Sequence, residues 1–359
     1  MPKEIVFVAP RQVEVRDYEE RAIGPREVRV SNLYSSISHG TEMSHYRHDA
    51  IWHHKRVEVD GFVGEGCSMP YPFTYGYEDV ARVIEVGAAV TERKVGDPVL
   101  CMVNHRETGI VNMDRVNTAS NTIFLPLSDE GPLEKYVFTA LGTVALDGVL
   151  LSGLKIGESA VVIGQGVVGL LAMQLCKLAG ADPVIAVDLI PERLAVAKRI
   201  GADVVLNPRE GDVGLAVRKI LGGHGADVCF EASGRHSGIG LALHCGTPFP
   251  KVIAIGMYDG PGSDLFLGEE FCRSGGQILH SRSGGFRLGP EMNGDYYHRK
   301  WNVVRVNQTI IKLLQTGRLN VDGLISHRFP LTSAREAYDL IDKHPERVTK
   351  VIYDLTKPL

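Results

Sequence analysis

A glycine-rich turn constrains the fold of this chain more than any other feature of its sequence. Residues 161–169 read Val-Val-Ile-Gly-Gln-Gly-Val-Val-Gly, so a β-branched strand leads through G-x-G-x-x-G into an amphipathic helix. The first glycine permits a tight turn, the second lets the backbone approach a diphosphate, and the third lets strand and helix pack closely. The helix N-terminus attracts negative charge. This spacing predicts the first strand–helix unit of a dinucleotide-binding sheet.

A carboxylate follows the next strand at the distance that such a unit requires. The strand Val184–Val187 ends in Asp188, which lies 19 residues after Gly169. A carboxylate there accepts hydrogen bonds from the adenosine ribose and repels a 2′-phosphate, so it favours NAD over NADP, although Arg193 weakens that preference. A glycine turn in an unliganded α/β domain is the alternative. The residues expected to bind the cofactor from this side are Gly164, Gln165, Gly166, Val167, Val168, Gly169, Asp188 and Arg193.

The hydrophobic pattern divides the chain into two kinds of structure. Residues 1 to about 125 contain short β-rich runs separated by turns, which predict a small barrel-like or sandwich-like unit. From about 155 to 285, strands alternate with helices, as in a parallel doubly wound sheet. The expected strands of that sheet are Ala160–Ile163, Val184–Val187, Val204–Leu206, Asp227–Glu231, Lys251–Ile255 and Ile278–Ser281. Near the C-terminus, Ser333 and Glu336 form a capping-box pattern that predicts a helix from Ala334.

Composition excludes several classes of partner. Lys and Arg total 39 against 43 Asp and Glu, so the chain lacks the basic surplus that nucleic acid or an acidic membrane requires. No apolar run reaches the roughly 18 residues of a membrane span, and the N-terminus lacks a secretion signal. The six cysteines form no C-x-x-C pair, which disfavours a disulfide framework. We therefore expect a cytoplasmic protein with a small-molecule substrate and neither nucleic acid nor membrane as a partner.

Several short motifs, spread over residues from about 5 to 355, follow one another in the order in which they occur in one protein superfamily. They are Gly76-Tyr-Glu78, Val95-Gly-Asp97, Gly164–Gly169, Asp188 with Ile200–Asp203, Phe230–Gly234 and Ile325–Phe329. With them the chain resembles the medium-chain dehydrogenase/reductase (alcohol dehydrogenase-like) superfamily. The resemblance implies an α/β fold with a GroES-like β-rich catalytic domain (1–125, completed by 300–359) and a Rossmann NAD-binding domain (126–299). It also implies a homodimer or homotetramer.

The resemblance fails at the positions that bind catalytic zinc. Zinc-dependent members use a Cys in an I-C-G-T-D-like motif, the His of G-H-E, and a later Cys, Asp or Glu. Here Ser38 or His39, Tyr77 and Ala140 occupy those positions. Because zinc requires converging soft or borderline donors, we expect no metal at this site. A rearranged zinc site is the alternative, since imidazole suits zinc. It would draw on His39, His45, His48, His53, His54 and Glu78.

A closer similarity is to zinc-independent members of the superfamily. The stretch Ile37–Glu42 reads Ile-Ser-His-Gly-Thr-Glu in place of the cysteine motif, and His280-Ser-Arg282 is followed by Trp301 and Arg305. These segments resemble bacteriochlorophyllide a dehydrogenase and related carbohydrate-pathway oxidoreductases.

Hydride transfer without zinc requires a protein group that exchanges a proton with the substrate oxygen. Tyr77 is a candidate donor, although a packed aromatic ring that fills the former metal volume is equally consistent with the sequence. Imidazole titrates near neutral pH, so His39 or His45 is a candidate acid or base, and Ser38 is a candidate for orienting the substrate. Expected substrate contacts come from Thr41, Arg282 and Trp301. The resemblance also places Ser233, Gly234, Gly256 and Lys350 beside the cofactor.

Several functions agree with these features. The leading hypothesis is reversible oxidation of a secondary alcohol on a polyol, cyclitol or sugar-derived substrate, because polar groups are concentrated at 38–54 and 281–301. One alternative is an NAD(P)H-dependent enone or quinone reductase. Oxidation of a tetrapyrrole alcohol is another, which the polar loop at 44–56 disfavours. The last is a non-catalytic dinucleotide-binding protein.

Overall fold

A computed structural model describes residues 1–58, 62–117, 123–281 and 301–357, so the proposed substrate contact Arg282 lies outside the described residues. The chain forms two compact units, Met1–Ala140 with Phe286–Leu359, and Leu141–Gly285. The first unit extends to Ala140 rather than to the expected residue 125. Phe124–Pro126 pairs with the strand Pro98–Cys101, and the 3₁₀ helix Leu133–Phe138 packs against the strands Glu27–Ile37 and Asp79–Val86 of the same unit.

The described strands are β1 (Lys3–Ala9), β2 (Gln12–Asp17), β3 (Glu27–Ile37), β4 (Arg56–Val57), β5 (Val63–Gly64), β6 (Phe73–Thr74), β7 (Asp79–Val86), β8 (Pro98–Cys101), β9 (Thr108–Asn112), β10 (Phe124–Pro126), β11 (Ala160–Ile163), β12 (Val184–Val187), β13 (Val204–Leu206), β14 (Val228–Glu231), β15 (Lys251–Ala254), β16 (Gln277–His280), β17 (Ile325–Phe329) and β18 (Lys350–Asp354). The described α-helices are α1 (Thr41–Arg47), α2 (Ile51–His54), α3 (Thr139–Ser152), α4 (Val167–Ala179), α5 (Pro191–Arg199), α6 (Val213–Ile220), α7 (His236–Gly246), α8 (Glu270–Ser274), α9 (Val303–Gln315) and α10 (Ala334–Lys343). Short 3₁₀ helices occur at Leu133–Phe138, Leu331–Ser333 and Pro345–Arg347.

The first unit is built around a mixed seven-stranded sheet. Its strand order is β10-β8-β7-β3-β18-β17, with β9 also paired to β3. A three-stranded sheet (β2-β1-β6) and the short pair β4–β5 complete the unit. The antiparallel register places Ser35 opposite Asp79, and Ile37 opposite Val351. The end of β3 therefore lies beside the starts of β7 and β18, and polar residues from all three strands are brought together there.

The second unit contains a six-stranded parallel sheet in the order β13-β12-β11-β14-β15-β16. This is the strand order of a dinucleotide-binding Rossmann sheet. The inner strands β11, β12 and β14 are buried at every position, as expected for a parallel sheet with both faces covered. The α/β fold with a β-rich unit and a Rossmann unit is confirmed.

The predicted capping box at the start of α10 is wrong. Ser333 occupies the N-cap position, but its side chain makes no capping hydrogen bond. The 3₁₀ helix Leu331–Ser333 leads directly into α10, and Ser333 has φ −93° and ψ 28° instead of the extended backbone of a capping serine.

The stretch Leu133–Ser152 is long and apolar enough by length and composition to cross a membrane. Glu134, Lys135 and Asp147 interrupt the stretch, so it contains no uninterrupted apolar run of roughly 18 residues. Of its most apolar 18 residues, 72% are buried inside the structure, as in the core helix of a folded domain.

Candidate functional site

The three glycines of the 164–169 turn differ in what a side chain would meet. Gly164 has φ +87°, and a Cβ there would lie 2.7 Å from the Ser233 nitrogen. A Cβ on Gly169 would lie 1.8 Å from the Gly164 carbonyl oxygen. Gly166 has no atom within 4 Å of the equivalent position. Gly164 and Gly169 are therefore required by packing within the turn, whereas Gly166 faces open space.

The N-terminus of α4 has the properties of a diphosphate site. Gly166 is its N-cap residue and supplies no side-chain hydrogen bond, so no side chain caps the first-turn N–H groups of Val167, Val168 and Gly169. Gln165 is buried and donates from Nε2 to the Val162 carbonyl at 2.7 Å. An open glycine at an uncapped 13-residue helix fits the diphosphate of a dinucleotide.

Asp188 lies at the end of β12 and organises this turn. Its Oδ2 accepts a hydrogen bond from the Gln165 nitrogen at 2.6 Å, and Oδ1 accepts one from the Ile190 nitrogen at 2.8 Å. The Arg193 guanidinium lies 4.0 Å from Oδ2. Each carboxylate oxygen has a second lone pair, so Asp188 retains acceptor capacity for a ribose hydroxyl.

A second turn, at the ends of β14 and β15, is held together by the buried carboxylate of Glu231. This carboxylate accepts hydrogen bonds from the backbone nitrogens of Ser233 at 2.8 Å and Gly234 at 3.1 Å. It also accepts from the hydroxyl groups of Ser233 and Tyr258. A Cβ on Gly256 would lie 2.5 Å from the Gly234 nitrogen. Glu231, which the sequence analysis did not single out, therefore fixes three of the expected cofactor residues.

Tyr77 and Ser38 come together in the first unit. Burial, followed by the charge of Glu78, raises the pKa of the Tyr77 phenol well above 10.0, and the Ser38 side chain beside it acts in the opposite direction. Tyr77 is therefore a protonated hydrogen-bond donor at neutral pH. The structure thus brings together two of the predicted catalytic residues.

Lys350, which the resemblance places beside the cofactor, has a partner of its own within the first unit. Its ammonium group forms an ion pair with Glu78, and both side chains are completely buried. Lys350 also donates to the Ile37 carbonyl at 3.2 Å, and Ser36 donates to Glu78. The register of β3, β7 and β18 produces this arrangement, and a buried carboxylate requires such a partner.

His45 is buried on α1, at the centre of a cluster of aromatic and imidazole rings. Its ring lies 4.7 Å from Tyr75, 5.5 Å from Trp52 and 5.1 Å from His53, centroid to centroid. Tyr75 in turn lies 6.0 Å from Tyr77. Burial, followed by the proximity of His53, lowers the pKa of His45 to about 4. His45 is therefore a neutral imidazole at physiological pH.

A separate buried network links Glu42 to His105 and Asp79. His105 Nε2 bonds to Glu42 Oε1 at 2.8 Å, and Nδ1 bonds to the Ser35 hydroxyl at 2.6 Å. Ser35 in turn donates to Asp79, and Glu42 accepts from the Ser38 nitrogen at 3.3 Å. Sequence reasoning missed His105 because it is an isolated histidine without motif neighbours.

Comparisons with known proteins place the chain in a family. A family model described as zinc-binding dehydrogenase matches residues 167–293. D-guloside 3-dehydrogenase from Escherichia coli K12 is 33% identical over 364 residues, which cover 97% of this chain and 99% of that protein. The chain belongs to the medium-chain, zinc-type alcohol dehydrogenase-like superfamily.

Solved structures of this superfamily share the fold. An alcohol dehydrogenase from E. coli CFT073, complexed with NADH, superposes with a TM-score of 0.76 at 18% identity, covering 99% of both chains. A zinc-binding dehydrogenase from Sinorhizobium meliloti 1021, bound to NADP, gives a TM-score of 0.75 at 20% identity, also covering 99% of both chains. The same fold therefore accommodates either nicotinamide dinucleotide.

The residues of this dehydrogenase do not fit the zinc ion of its superfamily. Ser38 and Tyr77 offer only neutral hydroxyl groups, and the Ala140 side chain has no donor atom. Within residues 1–58, 62–117, 123–281 and 301–357, no group of three His, Cys, Asp or Glu side chains is arranged to hold a metal ion. The histidines of α1 and α2 bond to each other and to backbone carbonyls instead.

The remaining predicted residues are spread over the first unit. His39 and Thr41 are half-buried in and just after the turn that joins β3 to α1. Trp301 is half-buried, and the Arg305 guanidinium lies 4.4 Å above its ring. This cation–π contact gives Trp301 a partner within its own unit.

Proposed function

We propose that this dehydrogenase oxidises a secondary hydroxyl of a sugar-derived substrate with NAD and without a catalytic zinc ion. The proposal rests on the N-terminus of α4, which is open and uncapped at Gly166. In the same chain, the positions that correspond to the zinc ligands are occupied by Ser38, Tyr77 and Ala140. The first feature suits a dinucleotide, and the second assigns proton management to protein side chains.

The substrate class follows from the relative that matches nearly the whole chain. D-guloside 3-dehydrogenase, by its name, acts at a secondary carbon of a glycoside. A glycoside presents several hydroxyl groups, each of which requires a hydrogen-bonding partner. Ser38, Thr41, Tyr77 and His45 belong to the unit that we propose binds it. We propose a hexopyranoside as the substrate class.

The cofactor would lie on the glycine turn, with its diphosphate at the N–H groups of Val167–Gly169 and its adenosine ribose at Asp188. NAD accepts the hydride of the carbinol carbon when it is bound. The negative charge of Asp188 favours NAD over NADP, because a 2′-phosphate would be repelled.

Tyr77 and His45 have environments that separate their roles. The raised pKa of Tyr77 keeps its phenol protonated, so it donates a hydrogen bond to the substrate oxygen. The lowered pKa of His45 keeps its imidazole neutral, so it accepts the hydroxyl proton during oxidation. Titratable groups whose pKa values are moved apart in this way are typical of paired acid and base functions. Ser38 lies beside the phenol and would orient the substrate oxygen towards it.

The test is turnover by the purified protein. Methyl hexopyranosides, polyols and cyclitols would be incubated with NAD and with NADP, and reduced nucleotide would be measured by absorbance. We expect NAD-dependent oxidation of a glycoside that persists after treatment with 1,10-phenanthroline, and no stoichiometric zinc by mass spectrometry. Reduction of enones with NADPH in the absence of alcohol oxidation would contradict the proposal. Stoichiometric zinc whose removal abolishes turnover would contradict its metal-free part.

A further inference from the structure

Two histidines on neighbouring helices form a directional hydrogen-bonded chain. His45 Nδ1 on α1 lies 3.1 Å from His53 Nε2 on α2. His53 Nδ1 lies 2.8 Å from the Met69 carbonyl oxygen. Both imidazoles are buried, with 1% and 7% of their surfaces exposed. From these contacts, and resting on the proposed function, we propose that His53 is a positioning and proton-relay residue that serves His45 as the base.

The Met69 carbonyl determines the tautomer of both rings. A carbonyl oxygen only accepts, so His53 Nδ1 must carry a proton. Nε2 of a neutral His53 then holds a lone pair, and the hydrogen bond to it requires a proton on His45 Nδ1. The lone pair of a neutral His45 is therefore on Nε2, the ring nitrogen that does not face His53. These hydrogen bonds thus leave the basic nitrogen of His45, Nε2, on the side of the ring that does not face His53.

The same chain moves a proton away from the substrate. When His45 Nε2 accepts the hydroxyl proton, the proton on Nδ1 transfers to His53 Nε2. His45 returns to a neutral state with its proton on Nε2, and His53 becomes an imidazolium with a proton on each nitrogen. After the product leaves, the proton returns from His53 Nε2 to His45 Nδ1, and His45 Nε2 releases its proton to water, which restores the starting tautomer of both rings. No electron is transferred in these steps, and the hydride is transferred separately to the nicotinamide ring of NAD.

The surroundings of His53 favour release of the proton over retention. Its ring lies 4.7 Å from His48 and 6.5 Å from His54, and both imidazoles disfavour a positive charge on it. Tyr71 stacks on His53 at 5.0 Å and is neutral. On the other side, Glu42 favours protonation of His45, whereas burial and His53 oppose it. Among the described residues that face the pair, Glu42 is thus the only acidic group that acts on it, and it acts at the His45 end.

The relay is tested with His53→Gln and a matched control. The glutamine oxygen accepts from His45 Nδ1 and its amide nitrogen donates to Met69, so the position of His45 is retained while proton transfer is lost. With the glycoside that the wild type oxidises, we expect kcat to fall by about 10²-fold, the lower end of general acid–base effects, and imidazole in the buffer to restore part of it. His344→Gln, at an exposed histidine of the same unit that follows α10, should leave kcat unchanged.

The pH dependence of kcat/KM distinguishes a proton relay through His53 from a purely structural role of its ring. His53 is one of the groups that lower the pKa of His45, so its replacement should move the acidic limb of kcat/KM to higher pH. A merely structural effect would lower the whole profile without moving the limb. Wild-type turnover together with unchanged kcat and limb in His53→Gln would overturn the relay and leave the proposed function standing. Absence of turnover by the wild type with every alcohol would overturn the proposed function and the relay with it.

A second measurement decides the geometry without turnover. Nitrogen-15 NMR of the wild-type histidines should show His45 and His53 both protonated on Nδ1 at neutral pH. A His45 tautomer protonated on Nε2 would overturn the relay even if His53→Gln fails to fold.

Discussion

His105 Nε2 lies 2.8 Å from Glu42 Oε1, and neither side chain has any exposed surface. Glu42 also accepts hydrogen bonds from the Ser38 nitrogen and the Tyr338 hydroxyl. The pair therefore connects the loop after β8, the turn that carries Ser38, and α10. Because the partners come from distant parts of the chain, this ion pair fixes the position of the proposed active-site turn.

We expect His105→Gln to destabilise the protein, because removing one partner of a buried pair leaves Glu42 without its counter-charge. The expected loss is about 3–5 kcal/mol in the free energy of unfolding, measured by urea denaturation. His224→Gln, at an exposed histidine, should have no such effect. An equal loss in both variants would contradict the role of the buried pair.

The same pair predicts a pH dependence of stability. Burial lowers the pKa of His105, but the charges of Glu42, Asp79 and Glu78 outweigh this effect. The pKa of His105 in the folded protein is therefore above its ordinary value of 6.5. A raised folded pKa means that the folded state binds the proton more tightly. The stabilisation is therefore present in full below 6.5 and is lost as pH rises through the folded pKa. Wild-type stability should decline over that range, and His105→Gln should lack this component of the decline.

Two glycines of the nucleotide turn should separate stability from cofactor binding. Gly169→Ala places a Cβ 1.8 Å from the Gly164 oxygen, so we expect a loss of about 1–3 kcal/mol in the free energy of unfolding. Gly166→Ala meets no atom within 4 Å, so stability should be retained while NADH affinity falls about tenfold or more. Calorimetry measures the stability, and fluorescence titration measures the NADH affinity. Gly240→Ala in α7, also free of contacts, should leave NADH affinity unaltered. Undiminished NADH binding by Gly166→Ala would contradict the placement of the diphosphate.

The Rossmann unit could be predicted closely from the sequence, because its information is local. Strands β11, β12 and β13 begin and end where the runs of β-branched residues predict, and α4 occupies the expected 167–179. Runs that are buried on both faces, followed by glycine, leave few alternatives. The limits of β14, β15 and β16 differ from the predicted ones by one residue, since strand ends depend on pairing partners.

The first unit could be predicted only in outline, because its site depends on register between distant strands. The pattern located Tyr77 and Ser38, but the pairing of Glu78 with Lys350 spans 272 residues. His105 gave no signal because its partners, Ser35 and Glu42, come from β3 and α1. Burial of polar groups in such networks follows from tertiary contacts, which periodicity does not encode.

Asp188→Asn should alter the choice of cofactor. The substitution removes the charge that opposes a 2′-phosphate, while its amide oxygen still accepts one of the hydrogen bonds from Gln165 and Ile190. We expect the ratio of NADPH to NADH affinity to rise about tenfold, measured by fluorescence titration. Asp203→Asn, which disrupts an ion pair with Lys177 in the same unit, provides the control and should leave the ratio as it is. An unchanged ratio in Asp188→Asn would show that this carboxylate does not select the cofactor.

Tyr77→Phe tests whether the phenol acts on the substrate or fills space. The ring and its packing are retained, and the phenolic hydroxyl beside Ser38 is lost. If Tyr77 donates to the developing alkoxide, kcat for the glycoside should fall by about 10²-fold while NADH affinity is unchanged, because the nucleotide turn belongs to the other unit. Since the pKa of Tyr77 lies well above 10.0, the wild-type rate should show no basic limb from this residue at neutral pH. Tyr34→Phe, a half-buried tyrosine on β3, should retain full activity. Full activity in Tyr77→Phe would instead mean that the ring only fills the volume that zinc occupies in zinc-dependent members, and proton exchange would then be assigned to His45 and Ser38 alone.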